Sequence, residues 1–223
     1  TVSPAAEWFI DNYHQVEEQI RQVRADLPPG FYRQLPKLAE GPIAGHPRIF
    51  GVVWAHVAHT DSRFDPHLLT DFINEYQSVQ PLTIGELWAV AISLRLILIE
   101  NLRRIIQRIL AARARRQSAD ALADLVLAPA AADLQGAFAR SAGTAPGGPF
   151  AVQLVLRLRD HDGHAVDVFS WLRAAVEREG STLEAEVDNE HQRQGAANVT
   201  VRNIITSMRM VTDVSWENWF DSV

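Results

Sequence analysis

Apolar residues recur along this chain at three- and four-residue intervals, the spacing that lines one face of an α-helix. Ser3-Pro4 reads as an N-cap followed by proline at the first helical position. Trp8, Phe9, Val16, Ile20, Val23 and Leu27 then share one face of a helix that Leu27-Pro28-Pro29-Gly30 stops. Residues 31–46, broken by Pro36 and two glycine-containing turns, predict a short helix and an irregular connection. Pro47 opens the next helix, faced by Ile49, Phe50, Val53, Trp54 and Val57 and ending near Thr60-Asp61. Asp65-Pro66 repeats the cap-then-proline signal ahead of Leu68, Leu69, Phe72, Ile73, Tyr76 and Val79, and Pro81 ends that segment.

Thr83-Ile84-Gly85-Glu86 has the form of a capping box, with Leu82 placed to staple the entry. The helical pattern then runs unbroken to about Arg116, on the order of 50 Å at 1.5 Å per residue. From Leu87 to Ile99 it is apolar nearly all round. That stretch is roughly 13 residues, short of the ~20 needed to span a bilayer, and Arg95 interrupts it. It therefore predicts a buried central helix.

The second part is richer in alanine. Ser118 reads as the cap of a helix through Leu127, Pro129 interrupts, and Asp133–Ala142 predicts a further turn or two. Gly143-Thr144-Ala145-Pro146-Gly147-Gly148-Pro149 is the clearest loop. Leu154, Leu156 and Leu158 alternate as a strand would, but the spacing of Val152, Leu156 and Arg159 and the helical surroundings favour a helix. Val166–Glu179 predicts an amphipathic helix stopped by Gly180. Ser181-Thr182-Leu183-Glu184 reads as a second capping box, and Val201, Ile204, Ile205, Met208 and Val211 mark one more face after Gly195. Trp216, Trp219 and Phe220 read as the first turns of a helix cut short. The expectation is an all-α fold, an irregular multi-helix bundle around a long central helix at about 84–116. Residues 1–142 would form its helical core, 143–149 a loop, and 150–223 a second helical subdomain truncated at its C-terminal end.

Composition adds three constraints. The 223 residues, 47% hydrophobic and 22% charged, suffice for a substantial core. The absence of cysteine excludes disulfide scaffolds, cysteine zinc sites and thiol nucleophiles. The net charge of −6 argues against nucleic acid as a partner, yet residues 81–117 hold seven arginines against two acids, a basic band between two acidic halves. The opening Thr1-Val2-Ser3-Pro4 has no basic or apolar leader region, predicting no signal peptide and a domain boundary there.

Few residues suggest chemistry. His56 and His59, at i and i+3 with Asp61 behind them, could hold a transition metal in a small helical enzyme. A helix end in which they satisfy backbone groups is the competing reading, and no metal or cofactor is expected. Asp160-His161-Asp162 has the carboxylate spacing that holds a metal–nucleotide complex, but it lies in a polar turn, not after a strand. There is no Gly-x-Ser-x-Gly elbow, P-loop or GxGxxG. Arg103, Arg104 and Arg108 form part of a basic stripe that could meet an acidic neighbour, phosphate or an anionic membrane surface. Trp8, Trp54, Trp88 and Trp171 read as core, leaving Trp216 and Trp219 as candidates for carbohydrate or interdomain contact.

Several stretches resemble the cyclic β-1,2-glucan synthase family: Ala6-Glu7-Trp8-Phe9-Ile10-Asp11-Asn12-Tyr13-His14 with Glu17–Arg21 and Asp26-Leu27-Pro28; Leu35-Pro36-Lys37-Leu38; and His59-Thr60-Asp61-Ser62-Arg63. The strongest is Pro81-Leu82-Thr83-Ile84-Gly85-Glu86-Leu87-Trp88-Ala89-Val90 leading to Ile99–Arg104. Glu190–Gln194, Asn198–Val201 and Ile204–Arg209 add to it. The resemblance implies the N-terminal region preceding the glycosyltransferase domain of a large inner-membrane protein that builds cyclic glucans from UDP-glucose. It further implies a cytoplasmic position, a non-catalytic accessory or scaffold role, and the remaining synthase domains as partners, chiefly the glycosyltransferase. β-Glucan is a further possible ligand, as for a carbohydrate-binding module. The family's catalytic motifs are not matched, so no catalytic residue carries over.

Overall fold

The computed structural model describes residues 3–128, 136, 147–161 and 165–223. Its elements are α1 (Pro4–Asp11), α2 (Tyr13–Asp26), α3 (Phe31–Gln34), α4 (Arg48–His59), α5 (Pro66–Val79), α6 (Ile84–Leu127), α7 (Pro149–Leu158), α8 (Ala165–Arg178), α9 (Leu183–Asp213) and α10 (Trp216–Phe220). Among the described residues there is no strand, only an isolated antiparallel bridge between Lys37 and Pro47. The fold is all-α.

The helix starts follow from capping. Ser3 Oγ accepts from the amide of Ala6 at 3.4 Å. Asp65 Oδ1 accepts from the amides of His67 and Leu68 at 2.9 and 3.3 Å, with Pro66 at the first helical position. The expected single helix from Pro4 to Leu27 is two. Asn12 ends α1, donating through Nδ2 to the carbonyl of Trp8 at 2.8 Å and accepting from Arg209 of α9. A side chain that satisfies a helix-end carbonyl and a distant arginine together favours a break there.

The central helix is longer than its pattern suggested, 44 residues or roughly 66 Å. Ser118 does not cap a new helix; its hydroxyl donates back to the carbonyl of Ala114 at 3.2 Å, which lets the helix pass through it. Likewise α9 runs 31 residues through Gly195 without a break. Its cap is Thr182, whose hydroxyl accepts from the amide of Ala185 at 3.2 Å, one residue later than the expected box at Ser181. The short α10 ends at Phe220, where the amide of Ser222 donates to the carbonyl of Trp219 at 3.0 Å.

Compactness divides the chain into residues Thr1–Ile105 with Ala197–Val223, and Ile106–Ala196. The chain leaves the first unit within α6 and re-enters it within α9, so this division does not coincide with the punctuation at 143–149. Residues 143–146, and most of the turn or two expected over Asp133–Ala142, lie outside the described residues.

In the first unit, Ile49, Val53, Leu69, Ile73, Val90, Leu94, Ile97, Leu98, Ile204, Ile205 and Met208 are almost wholly buried. The second unit centres on Ala119, Leu122, Ala123 and Val126 of α6, packed with Phe150, Leu154 and Leu158 of α7 and Val168, Leu172 and Val176 of α8. The alternation over 150–159 thus belongs to a helix. On its polar side Gln153 and Arg157, four apart, meet Asp120 and Asp124, also four apart. The carboxylate of Glu186 on α9 accepts from the amide of Gly148 just ahead of α7, supplying the missing N-terminal cap from a distant element.

Candidate functional site

The entry to α6 shows what its capping box does. Glu86 Oε2 accepts from the Thr83 amide at 2.9 Å and the Thr83 hydroxyl at 3.1 Å, while the Glu86 amide donates to Thr83 Oγ1 at 3.3 Å. The same carboxylate takes Arg48, at the start of α4, in a two-pronged pair: Nε to Oε1 at 2.8 Å and Nη2 to Oε2 at 2.6 Å. The Glu86 side chain is fully buried, and Arg48 also donates to the carbonyl of Pro81 at 3.1 Å. Burial pushes the Glu86 carboxyl up, but the bonds from Arg48 and Thr83 outweigh it and hold it below the ordinary value.

Midway along the apolar stretch, Ser93 shares a hydrogen bond of 3.1 Å with Tyr32, and buried Arg95 pairs with Asp26 at 3.1 Å. Both reach toward the α2–α3 region. The interruption that Arg95 makes in the sequence is therefore a buried guanidinium reaching an exposed carboxylate, and burial pulls its pKa down while Asp26 opposes that.

His56, His59 and Asp61 do not converge on one point. His56 is buried against the ring of Phe72 at 5.2 Å with its Nε2 unpartnered. Burial lowers its pKa below the ordinary histidine value. His59 donates from Nδ1 to the carbonyl of Ala55 at 2.7 Å, a helix-end bond. Asp61 belongs to the turn that closes α4. Among the described residues no group of three or more histidines, aspartates or glutamates is placed to hold a metal ion. Of the Asp160-His161-Asp162 turn, Asp162 lies outside the described residues, and Asp160 is paired with Arg159 at 3.2 Å.

The Asp61-Ser62 turn at the end of α4 is held by bonds from α6 and α9. The amide of Ser62 donates to the carbonyl of Val57 at 2.9 Å and that of Thr60 to His56, which closes the helix end with Asp61 in the left-handed position. Glycine normally takes that position, and Gly180 (φ +79°) takes it at the end of α8. At α4 two non-glycine residues, Asp61 (φ 48°) and Ser62 (φ 59°), are held there instead.

The reason is in their side chains. Asp61 accepts from Thr200 Oγ1 at 3.0 Å and Asn203 Nδ2 at 3.3 Å, and its carbonyl accepts from the same Nδ2 at 3.1 Å. Ser62 accepts from Asn101 of α6 at 3.2 Å. Ser207 donates to the carbonyl of Ser62 at 2.7 Å and accepts from the amide of Phe64 at 2.8 Å, all in the interior. Thr200, Asn203 and Ser207 are three and four apart, so they form one polar edge beside the apolar face of α9. Sequence reading missed them, although that spacing next to Val201, Ile204, Ile205 and Met208 was the available signal. Residues of the stretches that carried the resemblance at 59–63, 99–104, 198–201 and 204–209 meet here.

The aromatic assignments are largely exchanged. Trp219 is 6% exposed and donates from Nε1 to Thr70 Oγ1 of α5 at 3.0 Å, so it belongs to the core. Trp216, half-buried, donates to the carbonyl of Val211 at 3.0 Å and packs edge-on against Trp219. Trp88, read as core, is 60% exposed beside Phe220 at 5.3 Å, and Trp8 is 38% exposed. A helix apolar all round in sequence still needs a solvent side once only some of its faces are covered. Trp54 is half-buried, under the Arg104 guanidinium at 4.9 Å, and Trp171 packs at the edge of the second core.

Of the stripe arginines, Arg103 and Arg104 both bond Glu100, at 2.7–2.8 Å. Those bonds, Arg103 first and then Arg104, hold the Glu100 carboxyl at about 2. Arg108, Arg113 and Arg115 are exposed and make no ion pair among the described residues. No helix among the described residues is long and apolar enough to cross a membrane.

No family model matches the chain. It is 39% identical over 227 aligned positions, the whole of this chain, to Cyclic beta-(1,2)-glucan synthase NdvB of Rhizobium meliloti (strain 1021). The chain spans 8% of that relative's length. The resemblance read from its motifs thus holds across the full chain, which is similar throughout to one region of a cyclic β-(1,2)-glucan synthase.

Proposed function

We propose that the chain is a non-catalytic helical part of a membrane-associated synthase making cyclic β-1,2-glucan from UDP-glucose. It would precede the glycosyltransferase domain, on the cytoplasmic face of the bacterial inner membrane, and pack against that domain. The observation that carries this reading is the identity across the whole chain to so small a share of a glucan synthase. The use of the polar side chains supports it: Glu86, Arg48, Asp61, Asn203 and Ser207 are engaged in binding helices to one another. Ile84 and Trp88, four apart on α6 and 70% and 60% exposed, form an apolar surface at the start of that helix suited to an interdomain contact.

The purified chain given UDP-glucose should release no glucan or UDP. Removing the segment from a full-length synthase, or replacing Trp88→Asp within it, should lower glucan output. Turnover by the chain alone would overturn the proposal. The exposed ring of Trp88 beside Phe220 also supports a second reading, stacking on a β-glucan. Titration calorimetry with linear β-1,2-glucans separates the two, since saturable heat lost in Trp88→Ala would favour the carbohydrate reading.

A further inference from the structure

The stretch of α6 after Glu100 has an unusual charge balance. Residues 101–119 contain six arginines and no acid, in a chain whose net charge is −6. Arg116 is partly used, 3.6 Å from the buried carboxylate of Glu190. Arg108, Arg113 and Arg115 are exposed and unpaired among the described residues, as are their neighbours Ala111, Ala114 and Leu110 exposed, the last at 56%.

At 3.6 residues per turn these positions sort around the helix. Ile109, Ala112 and Arg116 lie toward the partly covered side. Opposite them, Leu110, Ala111 and Ala114 form a crest of small and apolar groups. Arg108 and Arg115 flank the crest on one side and Arg113 on the other. Long cationic side chains bordering a low apolar crest let the backbone lie close to a surface while the guanidiniums reach its charges.

From this placement we infer that the Arg108–Arg115 segment of α6 is a contact for an anionic lipid surface. The guanidinium matches phosphate with two parallel hydrogen bonds, which a headgroup phosphate supplies. The chain's negative net charge works against a long polyanion such as nucleic acid, and the segment has no exposed ring on which a base could stack. An acidic protein surface would satisfy the charges but gives the Leu110 crest no role.

The test uses the full chain in vesicle flotation. It should float with vesicles of phosphatidylcholine mixed with phosphatidylglycerol, stay behind with phosphatidylcholine alone, and be released by raised salt. Each basic residue at an anionic leaflet contributes roughly fivefold, so R108Q/R113Q/R115Q should weaken binding by roughly a hundredfold. Circular dichroism of that variant should match the parent, because all three side chains are exposed. Equal flotation with both vesicle types, no flotation with the anionic ones, or unchanged binding by the triple variant would each overturn the inference. So would tighter binding to soluble polyglutamate than to anionic vesicles, which would point to an acidic protein instead.

Discussion

Replacing Glu86→Gln removes one charge and rotates one donor into a site built for acceptors. The glutamine keeps a single oxygen for three claimants: the Thr83 amide, the Thr83 hydroxyl and the Arg48 fork. Its NH2 group must face the guanidinium or the capped amide. A hydrogen bond to a charged group contributes about 1.5–3 kcal/mol, and breaking a buried ion pair from one side costs about 3–5. Arg48 keeps the Pro81 carbonyl and 14% exposure of its side chain, which places the expected loss at about 2–4 kcal/mol. Urea unfolding followed by tryptophan fluorescence reads this directly, because five of the six tryptophans lie in the unit that contains Glu86. At a slope of about 2 kcal/mol/M the midpoint should fall by roughly 1–2 M.

Arg48→Met should lose as much, since it leaves the carboxylate buried without a counter-ion. The double variant R48M/E86L should lose less than the two singles added together, since it leaves no orphaned charge. The acid limb carries the same signature. The folded state holds Glu86 below its ordinary value of 4.5, so its contribution is complete above that pH and disappears as pH falls through the lower folded value. E86Q should flatten that part of the profile. An unfolding free energy within about 0.5 kcal/mol of the parent, with an unchanged acid limb, would refute the assignment of Glu86 as the joint between α4 and α6.

Ser207→Ala should destabilise by about 2–4 kcal/mol in the same assay, since it strands the Phe64 amide and the Ser62 carbonyl in the interior. Asp61→Gly should be close to neutral: it relieves a left-handed non-glycine residue by about 1 kcal/mol while losing the exposed bonds to Thr200 and Asn203. Trp219→Ala should cost about 3–5 kcal/mol and Trp88→Ala under about 1, reversing what their sequence neighbourhoods suggest; equal losses would contradict the burial difference.

The sequence by itself determined the helical class and most of the helix starts. Capping depends on residues within a turn of one another, and the apolar period of a helix is written locally. Ser3-Pro4, Asp65-Pro66 and Thr83–Glu86 accordingly act where their patterns place them. Tertiary structure decided the rest. Whether Ser118 caps or is passed through depends on what covers the next turns of α6. That α1 ends at Asn12 depends on Arg209, nearly two hundred residues away. Which tryptophan is buried depends on which faces of α5 and α6 receive α10, and no local pattern contains that. The Asp61-Ser62 turn is the clearest case. Its backbone conformation is unfavourable on local grounds, and only Asn101, Thr200, Asn203 and Ser207, brought in by α6 and α9, supply the hydrogen bonds that hold it.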